Sequence, residues 1–242
     1  MRYSTVIAPV IGSCLAAMVL VMACVNPAQE QVSKGDGFLL QKQWDEAVTA
    51  YTKAFEMDPK LDKAVLNPKL ATAYTERGFA YTSSGEPGKA IDDFTRAIEL
   101  GPGSAAAYNY RGFTYGVMGY YGKAVADFTR ALELDPGFAL VYYNRGYVYN
   151  SNGEQDKAVA DFTRAIELDP EYGLAYNNRG SVYIDMGDFD KAIADYTRLI
   201  EISPKLALAY YNRGYAYYKK GENAKAEADF KKARDLAYIV VP

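Results

Sequence analysis

Five Arg-Gly pairs recur along this chain at a fixed interval, with their glycines at Gly78, Gly112, Gly146, Gly180 and Gly214, each 34 residues from the next. The prolines Pro102, Pro136, Pro170 and Pro204 keep the same step. A fixed period of this length marks an array of helical hairpins, because one such unit is too short to bury its own apolar face and must share it with its neighbours. The repeat therefore overrides the one or two globular domains that a length of 242 residues would suggest.

One unit, Ala139 to Tyr172, sets the pattern. Tyrosine stands at its fourth and eleventh places, Tyr142 and Tyr149, with Gly146 at the eighth. That spacing of i, i+4 and i+7 lies on one helix face and is expected to pack, the glycine allowing a partner helix to approach closely. A second helix is marked by Ala158, Phe162 and Ala165, a large ring between small residues. Gly153 suits the turn between the two helices, and Asp156 and its equivalent Asp190 stand where they can cap or favour the second helix. The same reading places regular units at 71–104, 105–138, 139–172, 173–206 and 207–240. A divergent first unit spans 28–61, where Gly35 and Gly37 each cost a helix about 1 kcal/mol and predict fraying. Nine extra residues, 62–70, separate it from the second unit. Pro68 argues against one unbroken helix through them, so they read as a loop or a lengthened helix start.

The succession of a large aromatic, glycine, tyrosine, alanine, phenylalanine, alanine and proline within 34 residues resembles the tetratricopeptide repeat, or TPR, over nearly all of 28–240. The resemblance implies an all-α fold, a solenoid of about six hairpins wound into an α-α superhelix. In such a superhelix the first helices line a concave groove that commonly takes peptides or protein segments. The chain departs from the family at the seventh place, usually leucine, where it carries Arg77, Arg111, Arg145, Arg179 and Arg213. A half-buried guanidinium needs a carboxylate, and each second helix supplies one in Asp93, Asp127, Asp161, Asp195 or Asp229. Arg–Asp pairs between the helices are the expected result.

The family's groove-lining face corresponds here to the second, fifth, ninth and twelfth places, as in Leu140, Tyr143, Tyr147 and Asn150. The sixth place adds Asn144, Asn178 and Asn212, similar to the asparagine ladders that hold an extended peptide by its backbone in some members. The plainer alternative is that these amides serve neighbouring helices. The residues expected to meet a partner are Asn109, Tyr143, Asn144, Tyr147, Asn177, Asn178, Tyr211, Asn212 and Tyr215. The Lys/Asn clamp of chaperone-binding members is missing from the matching places, which argues against a chaperone-tail receptor.

Composition narrows the chemistry. Histidine is absent and the only cysteines are Cys14 and Cys24, which removes Ser-His and Cys-His nucleophiles and the usual zinc sites. Acidic residues recur with the period, as packing and surface residues do, so no enzyme activity and no cofactor are expected. A net charge of -3 without a basic cluster points away from nucleic acid. Residues 1–25 carry Arg2 and then an uncharged apolar run, the profile of an export signal. Val21-Met22-Ala23-Cys24 resembles the lipobox of bacterial lipoproteins, with residues 1–23 removed, Cys24 lipidated and 24–27 a short tether. An uncleaved anchor and an ordinary cleaved signal are the competing readings. The expectation is a non-catalytic scaffold at the bacterial cell envelope that binds a peptide or partner protein. A glycan-binding protein and a self-associating structural array are the alternatives. The last helix, about 222–236, is rich in charge, which would solvate the end of the stack; otherwise that end could pair with a second copy.

Overall fold

A computed structural model describes residues 26–236; the proposed signal and Cys24 lie outside the described residues. Twelve helices follow one another in this region: α1 Pro27–Leu40, α2 Trp44–Met57, α3 Lys63–Ser83, α4 Pro87–Leu100, α5 Ala105–Val117, α6 Tyr121–Leu134, α7 Ala139–Ser151, α8 Gln155–Leu168, α9 Gly173–Met186, α10 Phe189–Ile202, α11 Ala207–Lys220 and α12 Asn223–Asp235. Each odd helix packs on the even helix that follows it, and each even helix on the next odd one. The odd helices of successive hairpins also touch one another, whereas the even helices do not. The odd helices therefore line the inner side of the curve.

Within each hairpin the core is a ring set against a glycine. Phe94, Phe128 and Phe162 are fully buried, and Tyr196 nearly so. A Cβ added to Gly146 would meet the Phe162 ring at 3.0 Å and Asp161 Cβ at 3.2 Å, so the two helices can come this close only without a side chain there. The first hairpin follows the same rule. Gly35 is buried against Tyr51, and α1 runs unbroken through both of its glycines. Between hairpins the seam is made by the third and tenth places, such as Val141 and Val148, which are buried. The fourth and eleventh tyrosines pack as expected in part: Tyr74, Tyr108, Tyr115, Tyr142, Tyr149 and Tyr183 lie half-buried against the core clusters. Of the ten, only Tyr176 is buried.

Those tyrosines also bracket the arginines. The Arg145 guanidinium stands 5.7 Å from the Tyr142 ring centre and 5.9 Å from that of Tyr149, within cation–π range. Its Nε and Nη2 donate to both carboxylate oxygens of Asp161, at 2.7 and 2.9 Å. Its Nη1 donates to Thr129 Oγ1 of the preceding hairpin at 3.1 Å. Arg111, Arg179 and Arg213 repeat the arrangement with Thr95, Thr163 and Thr197, so each guanidinium joins three helices. Arg77 finds Asp45 where the others find threonine. Burial pushes the Asp195 carboxyl above its ordinary value, against the pull of Arg179, so the bidentate geometry is what holds this charge inside.

The extra residues ahead of the second hairpin belong to one helix. The structure carries α3 unbroken from Lys63 to Ser83, so of the two readings of 62–70 the lengthened helix start holds, and the expectation that Pro68 would break the helix is corrected. Two local facts explain why. Asp62 Oδ1 accepts from Ala64 N at 2.8 Å and starts the helix, and Leu66 and Leu70, one turn apart, are buried against the first hairpin. Burying two leucines is worth about 3 to 6 kcal/mol, enough to offset the roughly 3 kcal/mol that proline costs a helix. The turn within each regular hairpin uses a glycine at positive φ, from Gly85 to Gly221, and Lys42 holds the equivalent left-handed conformation at φ 58° in the first. Asp156 and Asp190 sit in the first turns of α8 and α10 without capping them by a hydrogen bond, and can act there only through charge.

Candidate functional site

The inner surface made by the odd helices carries a row of exposed apolar side chains. Phe79, Phe113, Tyr147 and Tyr215 occupy the ninth place of successive hairpins, with only Ser181 breaking the row, and Leu140, Leu174 and Tyr218 flank them. Monomeric proteins seldom expose a contiguous apolar strip without a use for it. Two hollows open beneath it. The larger, about 500 Å³, is walled by residues of α5, α6 and α7, including Phe113, Val117, Tyr143, Asn144 and Tyr147, with buried Phe128 at its floor. The smaller, about 200 Å³, lies on the other side of Phe113 and Asn144, against Phe79, Tyr110 and Leu140. Neither wall includes a charged residue.

The amides expected to grip a partner are largely engaged between hairpins. Asn144 Nδ2 donates to Asn109 Oδ1 at 3.0 Å, Asn178 Nδ2 to Tyr143 Oη at 3.1 Å, and Asn212 Nδ2 to Asn177 Oδ1 at 3.0 Å. Asn177 in turn donates to Asn178 Oδ1 at 3.1 Å. Each bond links the sixth place of one hairpin to the fifth of the one before, or neighbours within α9. The alternative in which these amides serve neighbouring helices is therefore present in the structure. Asn144 and Asn212 make one of these bonds each and Asn177 and Asn178 two, which leaves every one of them a second amide hydrogen and a further carbonyl lone pair.

Of the expected partner-contacting residues, Asn109 requires correction. It is only 2% exposed, covered by the hairpins on either side, and lies under the groove floor as a buried acceptor. Tyr147 and Tyr215 are exposed, whereas Tyr143, Asn144, Asn177, Asn178, Tyr211 and Asn212 are half-buried. The Tyr143 ring packs 5.1 Å from Tyr172 and 5.8 Å from Phe162, and Tyr211 packs 5.5 Å from Phe230. Burial raises the Tyr143 phenol and pushes Tyr172 up to about 12, so both remain neutral in ordinary buffers. Around the two hollows the groove is consequently an uncharged surface with rings and amide edges, while the Lys219 ammonium stands 5.4 Å from the Tyr215 ring farther along it. Among the described residues, no group of His, Cys, Asp and Glu side chains is placed to hold a metal ion, and no helix is long and apolar enough to cross a membrane.

Sequence profiles described as tetratricopeptide repeat or TPR repeat match residues 33–105, 117–153, 139–172, 162–194, 180–221 and 207–237. The chain belongs to the TPR family. A comparison with curated proteins returns no match. Among solved structures, the TPR chain resembles MamA at 30% identity and a TM-score of 0.64, covering 71% of this chain and 98% of that one. It also resembles YrrB, described as a TPR protein with an unusual peptide-binding site, at 28% identity and a TM-score of 0.63, covering 78% and 93%. A tetratricopeptide repeat protein from Parabacteroides merdae, 22% identical with a TM-score of 0.65 over 88% and 81%, shares the fold.

This TPR array also differs along its length in ways the repeat consensus hides. Second helices present three side chains to the next hairpin, as with Val159, Thr163 and Ile166 of α8. At the matching places α12 presents Glu227, Lys231 and Arg234, all exposed. Covering this face with a second apolar surface would desolvate three charges, which disfavours stacking there. Sequence reasoning also missed Val117 and Gly116 beside the larger hollow. The available signal was a break in the period: the twelfth place carries Thr82, Asn150, Ile184 and Tyr218 elsewhere, but glycine in α5.

Proposed function

We propose that the concave face binds an extended peptide or a segment of a partner protein, and that the protein is a non-catalytic scaffold tethered at the bacterial cell envelope through Cys24. The observation that carries the binding reading is the strip of exposed rings and aliphatic side chains along the odd helices, uncharged at its two hollows and interleaved with amides that retain hydrogen-bonding capacity. Rings supply contact area at low entropic cost, and amides match a peptide backbone. The likeness to YrrB supports the same reading. The lipobox-like run before Cys24 supports the envelope location, and α1 begins only three residues after that cysteine.

The test uses side chains that are exposed and bear little on the fold. Full chain purified in detergent from its host membrane should capture partners that a Tyr147→Ala/Leu174→Ala/Tyr218→Ala variant loses, while both melt at the same temperature. Equal recovery would remove binding from the groove. Labelling with radioactive palmitate tests the tether: the label should enter the wild type and be absent from Cys24→Ser, and an unlabelled wild type would refute lipidation.

A further inference from the structure

We infer that the hollow beside Gly116 is the specificity pocket of the groove and receives one bulky uncharged side chain, aromatic or long aliphatic, of the bound segment. This rests on the peptide-binding reading above and names what that segment must carry. Beside this pocket the array departs from its own period. In two other hairpins the twelfth-place side chain reaches the seam with the next hairpin: Thr82 Oγ1 lies 3.4 Å from Thr114 Oγ1, and Ile184 packs against the cluster that contains Ala216. In α5 the twelfth place is Gly116, from which no side chain projects, and a space of about 500 Å³ opens beside it between Phe113, Val117, Tyr143 and Tyr147. That is within the size range of small-ligand sites and more than one aromatic side chain requires.

The chemistry of the wall selects the occupant. Its side chains are aromatic, aliphatic, hydroxyl or amide, without a carboxylate, ammonium or guanidinium. A charged group entering it would lose its hydration with no counter-charge to meet it, whereas an apolar one would remove apolar surface from water on both sides. The polar groups at the rim suit the backbone of the same segment. Asn144 donates one amide hydrogen to Asn109 and keeps its carbonyl oxygen and second hydrogen at the edge of the pocket.

The array supplies its own filled version of the pocket. A Cβ on Gly116 would stand 3.0 Å from Val148 Cγ2, so a larger residue needs Val148 reduced. Gly116→Ile with Val148→Ala copies the Ile184/Ala216 pairing. Wild type and this double variant, each full chain in lipid nanodiscs, would be used to select a random octapeptide phage library, with empty nanodiscs as the subtraction control. Wild-type selections should converge on Trp, Phe, Leu or Met at one position. Filling the pocket should abolish that convergence and weaken the selected peptides by about tenfold or more. The same preference in the filled variant, or convergence on a charged residue, would overturn the inference while leaving groove binding intact. If no peptide is selected, the groove reading fails, and saturation transfer to N-acetyl-tryptophanamide decides the pocket alone. Transfer from the wild type and none from the filled variant would support it. Equal transfer, no transfer, or stronger transfer to chitotetraose would overturn it. Should the double variant melt early, Val117→Asp serves in its place, because Val117 is 70% exposed at the rim and its charge should likewise abolish the aromatic preference.

Discussion

Replacing Phe162 by alanine is expected to destabilise the array by about 3 to 5 kcal/mol, the usual cost of emptying an aromatic site in a closed core. The ring has no solvent exposure, fills the gap left by Gly146, and contacts Tyr143 on the groove wall. Little can collapse into the space, since the surrounding Ala158, Val159, Val182, Tyr143 and Tyr149 are already packed against one another. An array transmits stability through nearest-neighbour seams, so a loss in the fourth hairpin should also uncouple the hairpins on either side. Urea unfolding followed by circular dichroism checks both effects. The midpoint should fall, and the transition should broaden or split into two steps. Phe230→Ala in the last hairpin provides the comparison. That ring is only half-buried, so its removal should cost clearly less and leave a single transition. Equal losses at the two sites would mean that the glycine-facing ring contributes independently of the hairpin stacked upon it.

The parts of this structure that were legible in the sequence are those that repeat through all five regular hairpins. The 34-residue step, the ring opposite glycine and the Arg–Asp pairing all depend on residue types that few other arrangements tolerate. The tyrosines at i and i+7 do pack, but only half-buried, whereas the buried centre of the seam uses small or β-branched residues such as Val141, Thr114 and Val148. Composition gives those no emphasis. Pro68 misled because a local penalty was weighed without the tertiary gain from Leu66 and Leu70, which appears only once the first hairpin is in place. Asn109 shares its place in the repeat with Tyr143, Asn177 and Tyr211, yet only Asn109 is fully covered. Periodicity assigns a face to a residue and says nothing of how deeply its neighbours bury it. Gly116 was hidden for the opposite reason, because its importance is the absence of a side chain where its equivalents have one.

Asp161→Ala should cost about 3 kcal/mol or more, and adding Arg145→Leu to it should restore much of that loss. The pair is largely sheltered, with 17% of the arginine side chain and 9% of the aspartate exposed. Removing the carboxylate leaves a guanidinium whose only remaining bonds are to Thr129 and two tyrosine rings, and breaking one side of such a pair typically costs 3 to 5 kcal/mol. Substituting both partners removes the stranded charge. Apolar replacements of buried ion pairs are often neutral or stabilising, and leucine is the residue that the TPR family usually places here. A double-mutant cycle in thermal and urea melts therefore separates two roles for the ladder. A recovered double variant would mean that the pair contributes little net stability, and that its value is registration: one guanidinium fixes α6, α7 and α8 through three directional bonds. A double variant as unstable as Asp161→Ala would mean that the bonds themselves hold the seam. In the first case the groove should also lose definition, because Tyr143 on α7 keeps its place against α8 and α9 only while those helices stay in register. A weakened peptide selection in a fully stable double variant would be the sign of that loss.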